Sequence, residues 1–180
     1  MYIAEKLRKE NIAEYLLYMW QIEDIVRAYG CDLKRIKAEY LVKFGYDAEQ
    51  MEDVEMWYYD LIRMMNTEGK REKGHLQINN VTLQKLSELH TELTESTKFP
   101  FYSSQYYRVL PYIVELRNKG GNKEEPEIET CFNALYGVMM LRLQKKEISP
   151  DTQHAVKEIT TLVGMLNDYY FKDKEKPLEF

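Results

Sequence analysis

Apolar residues recur along this chain at helical spacing almost throughout. Ile12, Tyr15, Met19, Ile22, Val26 and Tyr29 step by three and four residues, so they share one face of a helix predicted over residues 3–29. Gly30 ends it, and Asp32 supplies a cap for a second helix with Leu33, Ile36, Tyr40 and Phe44 on one face and Gly45 at its close. Asp47 and Gln50 have the spacing of a capping box. The third helix that follows carries a seam of Met51, Val54, Tyr58, Leu61 and Met65. That seam lasts about two heptads, too short for a coiled coil. Asn79 or Asn80 is the expected cap of a fourth helix bearing Leu83, Leu86, Leu89 and Leu93. A fifth, from Ser103 to Lys119, places Tyr106, Val109, Leu110, Ile113 and Leu116 on its face. Pro111 lies inside that pattern and is expected to kink or split it. Ser149 and Pro150 restart the chain in a last helix through Val156, Ile159, Leu162, Val163, Leu166 and Tyr169.

One stretch differs from the rest. From Glu127 to Glu147 the chain reads EIETCFNALYGVMMLRLQKKE, with apolar residues around most of a helical circumference. Such a helix is expected to be buried on several sides, with the others packed around it. Ala134 and Gly137 would let a neighbouring backbone approach, which gives a reason for a mid-helix Gly that costs about 0.8–1 kcal/mol relative to Ala. The expected architecture is all-α: a bundle of about six to seven mostly antiparallel helices around this central one, in a single domain over residues 1–180. Two connections, residues 67–75 and 118–125, read as flexible surface segments, and residues 172–180 as a charged, frayed tail.

Composition narrows the function classes. The 180 residues carry a net charge of −5, which argues against a nucleic-acid partner, since that requires a basic face. The two cysteines, Cys31 and Cys131, form no paired framework, so reduced thiols and a cytoplasmic location are the expectation. The N-terminal residues are charged and lack the apolar core of a signal peptide, and no apolar run is long enough to span a bilayer.

Motif chemistry is sparse. Gly69 and Gly74 imitate the start of a P-loop, but His75 and Leu76 stand where Lys and Ser or Thr should follow. His90 falls among leucines and reads as a core histidine with one hydrogen-bonded neighbour. With no converging ligands for it, neither a metal nor a cofactor is expected. No GxSxG, HExxH or Cys–His pattern is present, so no catalytic residue is assigned. Glu23 lies at the edge of the apolar sector of the first helix, with Arg27 one turn on. It reads either as a border ion pair with Arg27 or as a partly buried carboxylate in a pocket beside Trp20. Arg142, between Leu141 and Leu143, must reach water or a carboxylate such as Glu23, Asp24 or Glu14, because an unpaired buried charge is very costly. The fifteen tyrosines include three neighbouring pairs, Tyr58–Tyr59, Tyr106–Tyr107 and Tyr169–Tyr170. Tyr58, Tyr106, Tyr107 and Tyr170 are the candidates for an aromatic interface.

Three stretches together carry a likeness: NIAEYLLYMWQIEDIVRA at residues 11–28, LYGVMMLRLQKKEIS at 135–149 and LNDYY at 166–170. They resemble an uncharacterised family of bacterial helical proteins known only as a domain of unknown function. The resemblance covers nearly the whole chain and implies an all-helical cytoplasmic protein, with no activity or site residue to carry over. Two functional expectations result. The first is a non-enzymatic binding or scaffold module, self-associating or holding a protein partner through an exposed apolar patch larger than roughly 400 Å². The alternative is a small-ligand-binding protein or enzyme with an interhelical pocket of about 300–1,000 Å³ at Trp20, Glu23, Arg27 and Arg142.

Overall fold

A computed structural model describes residues 2–120 and 122–180. Met1 lies outside the described residues, as does Gly121 within the second predicted connection. The described residues form helices joined by short loops, with no strand among them. In chain order these are α1 (Tyr2–Glu10), α2 (Ile12–Ala28), α3 (Leu33–Arg35), α4 (Ala48–Thr67), α5 (Gln77–Glu95), α6 (Pro100–Gly120), α7 (Glu127–Leu143) and α8 (Pro150–Glu175). The protein is all-α, as the apolar periodicity predicts. Its backbone groups into two compact units, Met1–Val81 and Thr82–Phe180, and the division falls inside α5.

In the first unit, the helix predicted over residues 3–29 is two helices. Asn11 leaves helical geometry, and its side chain accepts the Glu14 amide at 3.0 Å, capping α2. The Asn11 amide still donates to the Leu7 carbonyl at 2.7 Å, so α1 and α2 meet at a bend with the hydrogen-bond ladder carried across it. Asp32 caps α3 through the amides of Lys34 and Arg35. The helix then widens into a π turn at Ile36–Tyr40 and tightens into a 3₁₀ turn at Leu41–Phe44. The wide turn shifts the inward register from four residues to five. Ile36 and Leu41 are therefore buried while Phe44, expected on the inner face, is exposed. Gly45 closes the segment at φ 65°, a left-handed position that favours glycine. The capping box is present as predicted: Asp47 accepts the Gln50 amide at 2.9 Å and Gln50 accepts the Asp47 amide at 3.2 Å. Behind it, α4 buries Val54, Tyr58, Leu61, Ile62 and Met65.

In the second unit, α6 begins at Pro100, earlier than the expected Ser103, and continues through Pro111 without splitting. Gln105 is buried and donates to both the carbonyl and the carboxylate of Glu158 on α8, at 3.0 and 2.9 Å. Ser149 caps α8 through the Thr152 amide, with Pro150 in the first turn. The segment expected to fray is held in place: α8 runs on to Glu175, and in the non-helical end beyond it the Leu178 amide donates to Asp173 and Phe180 packs on Phe99 at 5.6 Å between ring centroids. Helix α7 is shorter than the stretch from Glu127 to Glu147 and is buried along one side only. Ile128, Thr130, Cys131, Phe132 and Val138 are inside, while Gly137, Arg142 and Leu143 are exposed. A Cβ built on Gly137 would meet nothing within 4 Å, so this glycine accommodates no close helix contact within the chain. It floors an open groove.

Candidate binding groove and polar clusters

The groove lies in the second unit, where α6, α7 and α8 converge. Its floor and walls are Ala134, Gly137, Val138 and Leu141 of α7, Tyr112 and Leu116 of α6, and Ala155, Val156 and Ile159 of α8. The α7 residues step by three, one and three, so they form one stripe, and the small side chains of Ala134, Gly137 and Ala155 leave a space of about 640 Å³. Charge is confined to Glu115, Lys119 and Asp151. Lys119 and Glu115 already pair across one helical turn at 2.5 Å. The surface is apolar at the centre and polar at the edge, the anatomy of a binding interface.

The first unit holds a polar cluster around Glu23. This side chain is 1% exposed, yet its carboxylate is well supplied with donors. Oε1 accepts the Leu76 amide at 2.9 Å and the Asn79 side chain at 2.6 Å, and Oε2 meets His75 Nδ1 at 2.6 Å. The Arg27 guanidinium stands 3.8 Å away. Leu76 precedes the first turn of α5, whose unpaired amides attract negative charge. Glu23 therefore caps α5 from another helix, and Glu68 does the same for the Gln77 amide at 2.7 Å. Asn79, the expected local cap, is instead turned onto Glu23. Trp20 stacks on the His75 ring, with centroids 4.1 Å apart and planes 12° from parallel. Arg27 donates to the carbonyls of Lys70 and Gly74 and to Asp24, and Arg71 donates to the Gly30 carbonyl at 2.9 Å. The connection read as a free surface loop is thus fastened at both glycine-flanked ends.

A family model described as a domain of unknown function (DUF4924) matches residues 1–177. The chain belongs to this family. No curated protein and no solved structure matches it. Among its described residues, no helix is long and apolar enough to cross a membrane.

The residues singled out in this DUF4924 sequence fall in three places. Trp20, Glu23 and Arg27 come together in the first unit as described. Arg142 is exposed on α7 and has no ion pair among the described residues, and the donors on Glu23 come from its own unit. None of Trp20, Glu23, Arg27 or Arg142 lines the groove. Of the interface candidates, Tyr107 is 66% exposed and Tyr170 half-buried. Tyr58 must be corrected: at 0% exposure it is a core residue, because the seam of α4 turns it inward and Tyr59 outward. Tyr106 is half-buried and spends its hydroxyl on Glu127 Oε1 at 3.0 Å.

That contact belongs to a second buried cluster. His90 Nδ1 meets the Tyr102 hydroxyl at 2.7 Å and its Nε2 meets Glu127 Oε2 at 3.1 Å, as expected for a hydrogen-bonded core histidine. Burial pushes the His90 pKa below its usual 6.5 even though Glu127 pulls it upward. Burial, and then the charge of Glu127, pushes the Cys131 thiol up to about 12, so it is no nucleophile at neutral pH. The same two causes raise the Tyr106 hydroxyl to about 12. A depressed His pKa means that the unfolded chain takes up a proton the folded chain refuses. Stability is then full above about 6.5 and declines as pH falls below it. Thermal melts should show a larger drop between about pH 7.5 and 5.5 for the native chain than for His90→Gln. Equal drops would show that burial imposes no such penalty on His90.

Signals for the groove were present in the sequence as Ala134 and Gly137, but their spacing fits a packed helix pair and an open floor equally well. His75 was passed over because it stands in a charged, irregular segment, where no periodicity ties it to Glu23 fifty-two positions earlier.

Proposed function

We propose that this chain is a non-enzymatic, cytoplasmic binding module that self-associates by seating an apolar helix face of a second copy in the α6–α7–α8 groove. The observation that carries this reading is the open apolar stripe of Ala134, Gly137, Val138 and Leu141, facing Ala155, Val156 and Ile159 across about 640 Å³. Small residues on a helix surface admit the backbone of an incoming helix, and apolar side chains at i, i+3 and i+4 then anchor it. The chain also exposes a suitable helix face. Met56 and Tyr59 of α4 are both exposed and lie one turn apart, with Glu52 and Arg63 on the same stripe. Those two charges are opposite in sign to Lys119 and Asp151 at the groove's edge, and complementary charge of this kind fixes register. A volume in the range of small-molecule pockets supports a second reading, in which the groove holds a compact apolar ligand.

Native mass spectrometry of the untagged protein separates these readings. A dimer that becomes a monomer in Gly137→Phe, with helicity unchanged, is the expected result. Met56→Glu should weaken the same dimer. A monomer carrying a small-molecule adduct that Gly137→Phe removes would establish the second reading. A bare monomer across the working concentration range would contradict both.

A further inference from the structure

We propose that His75 is a phosphoryl-accepting histidine, reactive at Nε2 toward small N-phosphoryl or acyl-phosphate donors. The argument begins with the partner of its other nitrogen. Glu23 Oε2 lies 2.6 Å from His75 Nδ1, and an ionised carboxylate only accepts hydrogen bonds, so Nδ1 carries the ring proton. The tautomer this selects leaves the lone pair on Nε2 and directs nucleophilic attack to that nitrogen. Trp20 fixes the ring plane by stacking on one face.

Exposure completes the geometry. The Glu23 side chain is 1% exposed and that of His75 is 29% exposed. With Nδ1 held by the buried carboxylate, the exposure of the ring is assigned to the opposite edge, which bears Nε2. No other described group hydrogen-bonds to His75 through that nitrogen. The chain immediately before it reads KREKG. Lys70 and Lys73 have no ion pair among the described residues, and Lys70 Nζ lies 3.3 Å from where a Cβ of Gly74 would stand. Arg71 is engaged by Asn66 and Gly30, and Glu72 is the one opposing charge within the run. Two ammonium groups with no ion pair among the described residues, borne five and two positions before an oriented imidazole, suit an anionic electrophile, and a phosphoryl group is the anion whose oxygens they recognise.

The step balances without a further reactant. The Nε2 lone pair attacks the phosphorus of phosphoramidate, the new N–P bond forms, and the P–N bond breaks to release ammonia with the protons it already carried. The phosphorylated ring keeps its Nδ1 proton, and its positive charge faces the Glu23 carboxylate. His154 provides an internal comparison, since it is exposed on α8 and pairs with the Tyr112 ring at 6.2 Å, with no carboxylate on its nitrogens among the described residues.

The test is incubation of the full-length native protein with phosphoramidate, followed by intact-mass and phosphorus NMR measurement. The expected result is one acid-labile phosphoryl group, on Nε2 of His75, formed roughly tenfold or more faster than any modification of His154. It should be absent in His75→Asn, and slowed in Lys70→Ala. No incorporation, labelling of His154 at a similar rate, or equal labelling of His75 in urea-unfolded protein would each overturn the proposal. The His154 comparison is made within one sample, so it stands even if a Glu23→Gln variant folds poorly.

Discussion

Replacing Glu23 by Leu should destabilise the first unit by about 3–5 kcal/mol, the range for removing one partner from a buried charged cluster. The cause is what stays behind. The Leu76 amide, the Asn79 amide group and His75 Nδ1 all point at this carboxylate, with the Arg27 guanidinium 3.8 Å away, and a leucine satisfies none of the three donors. Each buried donor then costs its own desolvation. Glu23→Gln keeps the shape and one carbonyl oxygen, so it should lose less. Its amide group would, however, present a donor to His75 or to the Leu76–Asn79 pair. Hydrogen exchange resolved by peptide checks the mechanism: protection in Glu23→Leu should fall first in residues 67–80, where the carboxylate holds the loop and the start of α5. A loss confined to α2 would mean that Glu23 supports only its own helix.

Phe132→Ala is expected to cost the second unit a comparable amount, about 3–5 kcal/mol for a large-to-small change in a packed core. Phe132 is fully buried on the inward side of α7, next in sequence to Cys131. Loss of its ring removes apolar surface from the core and leaves a cavity that the neighbours fill only in part. Urea unfolding followed by circular dichroism measures it. A loss below about 1 kcal/mol, the size expected of an exposed position, would contradict the packing described for α7.

These two sites show how far the sequence could be read. Local rules worked wherever their causes are local. The Asp47–Gln50 capping box, the Ser149–Pro150 start and the seam of α4 each depend on residues within a few positions of one another. The all-α class follows from the same short-range regularity, repeated along the chain, and the family resemblance rests on three particular stretches, residues 11–28, 135–149 and 166–170. Glu23 was legible as a suspect because a carboxylate beside Ile12, Leu16 and Met19 is out of place. Its partners were not legible, since His75 and Asn79 are more than fifty residues away and lie on a loop and a helix start that periodicity cannot bring to α2. Arg142 takes the first of its two expected outcomes, water and not a carboxylate, for the complementary reason. Apolar content around α7 implied burial on every side, yet Gly137 and the exposed end of that helix open on the groove. Helix composition reports how much apolar surface exists, and only the packing decides whether this chain or another one covers it. The π turn at Ile36–Tyr40 is a third case: a single extra residue per turn moves Leu41 inside and Phe44 outside, and no pattern of three and four anticipates it.

In the proposed assembly a second copy of the chain covers the groove between α6, α7 and α8. The most direct test is backbone hydrogen exchange of the native protein at two concentrations, one well below and one well above the dimerisation midpoint found by native mass spectrometry. Residues 134–141 and 151–159 should gain protection at the higher concentration, together with residues 52–63 of α4, and Gly137→Phe should abolish that gain. Exchange in the groove that is unchanged by concentration, while a dimer is present in solution, would place the interface elsewhere and contradict the account.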